Sequence, residues 1–184
     1  LEDYRHVHPQ PTTVPGEWSF RFTPHRSGVY RLFADFTPVA TGLGLYANTD
    51  LTIAGPPDPP VTGRTLSWSR EQDGYRFVLE PRVLPIRVRQ VVDLTFLVTR
   101  DGGGAVPLEP VMDAYAHLVA FDEARSGFAH LHPMEAHLQE HPDANHPRLT
   151  FKISIPRAGR YVIWAQVNLA GRETFVPFWF DVLP

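Results

Sequence analysis

Cysteine is absent from the 184 residues, and that absence removes thiolate metal sites, disulfides and cysteine nucleophiles together. Lysine is almost absent as well, Lys152 being the only one, so arginine carries nearly all the positive charge. The net charge is −3 with the signs scattered. The clustered cationic surface that nucleic acid requires is therefore missing. No run of about 18 apolar residues occurs, which excludes a membrane-spanning helix, and no basic stretch leading into an apolar one opens the chain. A signal peptide, if the protein is made with one, is expected to have been removed. The sequence also has no glycine-rich phosphate loop, no Gly-x-Ser-x-Gly elbow and no His-Glu-x-x-His pair. A non-catalytic role is expected on that ground.

The chain does have a hydrophobic share of 43%, ample for the buried core of one domain or two small ones. The apolar pattern is that of strands. Val91–Val98, Tyr115–Phe121, Leu149–Ile155 and Arg160–Val167 are short, β-branched or aromatic, and bounded by Gly, Pro or Asp. The 19 prolines and 13 glycines fall mainly between such runs, where they stop helices and shape turns. No segment carries a sustained 3.6-residue apolar stripe; Met134–Glu140 has room for one or two helical turns. The expected fold is an all-β antiparallel β-sandwich.

One phrase occurs twice: His6-Val7-His8-Pro9 and His130-Leu131-His132-Pro133. Each leads into the same kind of strand sequence, Arg21–Ala34 matching Lys152–Ala165 position for position. The reading is a tandem of one module. Residues 1–55 form the C-terminal part of a first module, 56–64 a proline-rich linker, and 65–184 a complete second module. More than 50 residues precede the phrase in the second module, but only Leu1–Arg5 precede it in the first. On this reading the first module is expected to lack its opening strands. Its apolar set of Phe20, Phe22, Tyr30, Leu32, Phe33 and Phe36 needs an opposing layer to exclude water. An upstream part of the same polypeptide, a second chain or the second module is expected to supply it. Trp164 and Phe33 hold matching places, and both are expected to face inward.

Histidine is the recurring chemistry. Tyr115–Phe121 and Phe128–His132 flank the polar turn 122–127, so a hairpin is expected. If Phe121 opposes Phe128, then Val119 opposes His130 and His117 opposes His132. Alternation then puts His117, His130 and His132 on one face. Imidazoles so gathered suit copper, zinc or nickel, and copper(II) stands highest in the divalent affinity order. Copper is the first expectation and zinc the second. The blander reading has these histidines bonded to the backbone beside the turn, with proline ending the strand. His6 and His8 repeat the motif without a hairpin partner to supply a third ligand. His137, His141 and His146 lie in a polar segment, where the i,i+4 spacing of the first two would share a helical face, although a solvated loop is the simpler expectation. Asp122 and Glu123 are expected as solvated turn residues. Tyr4, Tyr115, Tyr161, Trp18, Trp68, Trp164 and Trp179 keep open a second class, a carbohydrate-recognition or adhesion module, although most fall where aromatics build a core.

The run Tyr115–Phe121, then Phe128–Pro133, then Pro156–Tyr161 resembles the immunoglobulin-like β-sandwich modules of bacterial secreted and periplasmic proteins related to the YtkA-like and FixH-like groups. That resemblance covers most of the second module and, through the repeated phrase, the partial first. It implies a periplasmic or secreted location and a link to copper handling or metal-oxidase assembly. It maps the recurring histidines of those groups onto His117, His130 and His132. The expected partners are a metal ion and an envelope protein or an upstream part of the same polypeptide. The shortened first module departs from the pattern.

Overall fold

The structure, a computed structural model, describes residues 1–56, 59, 64–135, 138–139 and 141–184. The chain is all-β, with no helix among the described residues. It divides into two compact units, one of Pro9–Thr62 with Glu2, the other of Leu1, Asp3–His8 and Gly63–Pro184. The sequence groups Asp3–His8 with a first module, whereas these residues lie in the larger unit. Most of the proline-rich stretch 56–64, expected as a linker, lies outside the described residues, as does His137.

The smaller unit holds two antiparallel pairs. β1 (Gln10–Pro11) pairs with β2 (Trp18–Ser19), and β3 (Gly28–Phe36) pairs with β4 (Leu45–Ile53) over their whole length. Arg31 and Asp50, directly opposed, join through two guanidinium bonds of 2.8 and 3.0 Å. No described residue between Pro9 and Pro56 is buried. Phe22, Tyr30, Leu32 and Phe33 are half-covered, while Phe20 and Phe36 are exposed, so this unit by itself forms no opposing layer.

The larger unit is the sandwich. Its strands are β5 (Ser69–Gln72), β6 (Tyr75–Pro81), β7 (Ile86–Arg87), β8 (Val91–Arg100), β9 (Leu108–Glu109), β10 (His117–Asp122), β11 (Phe128–Leu131), β12 (Arg148–Ser154), β13 (Gly159–Leu169) and β14 (Arg172–Leu183). One sheet runs β12-β8-β6-β5; the other runs β11-β10-β13-β14-β7, with β9 also on β13. All pairings are antiparallel except the short β14–β7 pair. β8 and β12 show why the layers form: buried Val92, Leu94, Phe96 and Val98 alternate with less buried positions, and so do Leu149, Phe151 and Ile153. Those residues meet Ile163, Ala165, Val176, Phe178 and Phe180 of the other sheet in one core. Each large side chain so buried contributes roughly 1.5–3 kcal/mol.

β13 is buried on both faces. Tyr161, Ile163, Ala165 and Val167 point into the core, while Val162 and Trp164 join Trp179 in a second apolar cluster on the outer face. Trp164 is 8% exposed. It is buried as expected but faces outward, the opposite of its expected direction. The reason is coverage from outside: Tyr4 stacks on its ring at 5.6 Å and meets Phe121 and Phe175 edge-on at 5.7 Å each. Arg5 adds a guanidinium 5.2 Å above Phe175. The segment Asp3–His8 thus lies as a strap across β10, β13 and β14.

The matching stretches take the same local form. Gly28 and Gly159 both hold positive φ, at 108° and 143°, a backbone state glycine adopts without a Cβ penalty. Tyr30 and Tyr161 each donate a hydroxyl to the carbonyl four residues upstream, Arg26 at 3.2 Å and Arg157 at 3.0 Å.

Candidate metal centre

The β10–β11 hairpin has the expected register, with Phe121 opposite Phe128 and Val119 opposite His130. Leu118, Ala120, Ala129 and Leu131 turn toward the core, so His117, Val119, Phe121, Phe128 and His130 face outward. The next strand continues the rows: Trp164 stands beside Val119, and Gln166 beside His117. The strap supplies the third side. Tyr4 lies on Trp164, and two residues later His6 lies against Gln166.

Five imidazoles gather on this face. Ring centroids are 5.4 Å apart for His117 and His130, 4.8 Å for His117 and His132, and 4.7 Å for His130 and His132. His6 is 5.0 Å from His117, 4.7 Å from His130 and 5.5 Å from His8. One nitrogen each from His6, His117 and His130 lies within 4.8 Å of the other two. An ion bound at about 2.0–2.1 Å wants ligand nitrogens roughly 3–4 Å apart, a spacing that His117 Nδ1 and His130 Nε2 have at 3.1 Å. His117 is fully buried, His6 and His130 are half-buried, and His8 and His132 are exposed. The group therefore has a floor and an open rim through which an ion can arrive.

Hydrogen bonds decide which nitrogens are available. His117 Nε2 lies 3.0 Å from the Val111 carbonyl and 3.2 Å from that of Met112. Carbonyls only accept, so this nitrogen carries the proton and His117 Nδ1 presents a lone pair. His130 Nε2 meets it at 3.1 Å, donating in the metal-free state. An ion bound between them would take the place of that proton. His6 Nδ1 donates to Gln166 Oε1 at 2.9 Å, and Gln166 Nε2 donates to Glu173 Oε2 at 3.2 Å, which fixes the orientation of the amide. His6 Nε2 is then the free lone pair. Two of the three imidazoles are thus tethered through one nitrogen with the other left to bind, the arrangement that holds ligating histidines in place.

The tether of His117 has no signal in the sequence. The Val111 and Met112 carbonyls are aimed by a tight turn in which Met112 and Asp113 both take positive φ, 45° and 63°, and Val111 and Ala114 pair across it. Gln166 does carry a sequence signal, an amide within the otherwise apolar run Val162–Val167, where an unpaired polar group is costly. The turn carboxylates are occupied elsewhere. Asp122 accepts from the Ser126 amide at 2.7 Å and from its hydroxyl, and Glu123 pairs with Arg64 at 3.0 Å. His141 Nδ1 is 2.8 Å from the Tyr115 hydroxyl, which also donates to the Leu138 carbonyl.

Burial pushes the His6 imidazole down to about 4, opposed by its bond to Gln166 and assisted by the neighbouring His130, His8 and His132. His117 is also lowered to about 4, first by burial and against its bond to the Val111 carbonyl. Both are neutral at pH 7, the form that binds metal. In the unfolded chain the same groups take up protons near 6.5. As pH falls from 6.5 to 4 the unfolded state binds protons that the folded state cannot, and stability is lost. The expected slope is at most about 1.4 kcal/mol per pH unit for each imidazole. Urea unfolding at intervals through that window measures it; a flat profile between pH 6.5 and 4.5 would contradict the burial of the cluster.

Residues 70–183 match a family model described as Domain of unknown function (DUF8832). The chain belongs to this family. The match spans β6 to β14 and so takes in His117, His130, His132 and Gln166, while His6 and His8 precede it. No curated protein matches the chain significantly.

Proposed function

We propose that this DUF8832 protein is a non-catalytic metal-binding protein of the cell envelope, periplasmic or secreted, that carries, delivers or senses copper, with zinc as the second choice. One observation carries the reading: one ring nitrogen each of His6, His117 and His130 lies within 4.8 Å of the other two, and His6 and His117 are each tied through one nitrogen to a fixed acceptor. The donor set is all imidazole. Without thiolate or thioether it suits copper(II) and zinc better than copper(I), and the divalent affinity order places copper first. A cluster with exposed His8 and His132 at its rim favours exchange of an ion with a partner over a closed structural site. No helix among the described residues is long and apolar enough to cross a membrane.

The sugar-recognition alternative has less support. Trp164 and Trp179 are covered, Tyr4 is the strap residue packed on Trp164, Tyr115 is buried, and Trp179 carries the Arg64 guanidinium at 5.2 Å. Trp18, 61% exposed, is the one large ring of the seven named above that lies open.

Equilibrium dialysis of tag-free protein against copper(II) and zinc tests the proposal. One ion per chain is expected, with copper held more tightly than zinc. Failure to retain either would leave the histidines as structural groups. Gln166→Leu, which removes the acceptor of His6, is expected to weaken binding by about 10- to 100-fold, the usual effect of losing a group that orients a ligand.

A further inference from the structure

We propose that a single ion joins the two copies of the His-x-His-Pro phrase, and so fastens the Asp3–His8 strap over the aromatic face of the sheet. The inference rests on the metal-binding reading and adds what binding does to the strap. If each phrase served its own module, His6 and His8 would stand apart from His130 and His132. Instead the His6 ring is 4.7 Å from His130 and 5.0 Å from His117, closer than it is to His8 at 5.5 Å. His6 is one of the three residues whose nitrogens fall within 4.8 Å of one another. The ligand set therefore mixes a strand-borne group with one from a segment outside every strand of the sandwich.

That mixture has a physical consequence. The contacts that hold the strap include Tyr4 against Trp164, Phe121 and Phe175, Arg5 over Phe175 and the His6–Gln166 bond. No backbone pairing in the sheets involves it. A segment outside the hydrogen-bond ladders of a sheet opens at lower cost than the core strands do. An ion that binds only the closed arrangement stabilises it by linkage, in proportion to its concentration over its dissociation constant. Metal then acts as a latch: with the ion the Trp164 face is covered, and without it the strap opens more often.

Hydrogen exchange of the full chain with and without zinc, read at residues 3–8, tests this alongside zinc titration of the intact protein and of a His6→Ala, His8→Ala double variant. Zinc avoids the redox chemistry of copper. The expected result is one zinc per chain, at least tenfold slower exchange at residues 3–8 on binding, and at least tenfold weaker affinity with the slowing lost in the double variant. Tyr4 remains in that variant, so its fold is retained. Zinc bound with equal affinity by the double variant, or bound with no change at residues 3–8, would overturn the latch while leaving the metal-binding reading intact. No zinc or copper bound by the intact protein would overturn both.

Discussion

Replacing His117 with alanine is expected to lower copper(II) affinity by on the order of 100-fold or more, the largest loss from any one imidazole. His117 is the floor of the cluster, 0% exposed. Its Nε2 is anchored on two backbone carbonyls, so Nδ1 is held toward the other rings before an ion arrives. Rotamer freedom is already lost on folding, and little more is lost on binding. His132, exposed at the rim and 4.8 Å from His117, must be ordered by the ion itself. His132→Ala is expected to cost clearly less than His117→Ala. The His117 variant also leaves a void and two carbonyls without their donor, so its fold is checked by far-ultraviolet dichroism, and His130→Ala serves as a second variant with a half-buried ring. Isothermal titration of the three proteins gives the order. Equal affinities for wild type and both His117 and His130 variants would move the site elsewhere.

The second large effect concerns the outer face. Trp164→Ala is expected to destabilise the protein by about 3 kcal/mol, the low end for a buried aromatic. Tyr4, Val162, Trp179, Phe121 and Phe175 surround the ring, but the strap that forms its roof can settle inward and reduce the cavity. Trp164 Nε1 is buried without a hydrogen-bond partner. A buried donor left unpaired costs roughly 1–3 kcal/mol. Trp164→Phe removes that penalty along with part of the packing, and is expected to lie within about 1 kcal/mol of wild type. Urea unfolding of both variants measures the difference. A Trp164→Ala protein as stable as wild type would mean that the strap does not cover this face.

These two sites show what was legible in the sequence and what was not. The hairpin register followed from Phe121, Phe128 and the turn between them, because polar turn residues and strand alternation are local signals. The shared face of His117 and His130 came with it. Trp164 was misdirected for an equally physical reason: β13 is apolar at nearly every position from Tyr161 to Val167, so period-two alternation cannot say which face meets the core. Only the strap, more than 150 residues away in sequence, makes the outer face apolar. The same distance hid the meeting of His6 with His117 and His130, since the first copy of the phrase has no hairpin partner in sequence to supply a third ligand. The carbonyls of Val111 and Met112 had no sequence signal, being aimed by backbone conformation and not by side-chain type.

The central claim is that imidazoles borne on the β10–β11 hairpin and the strap hold one metal ion together. Electron paramagnetic resonance of tag-free protein loaded with one equivalent of copper(II) tests it most directly, because nitrogen couplings report how many imidazoles bind. A single species with at least three nitrogen ligands, changed in both His117→Ala and His6→Ala, is the predicted result. A spectrum of loosely held copper with one or two nitrogens, identical in wild type and both variants, would contradict the account.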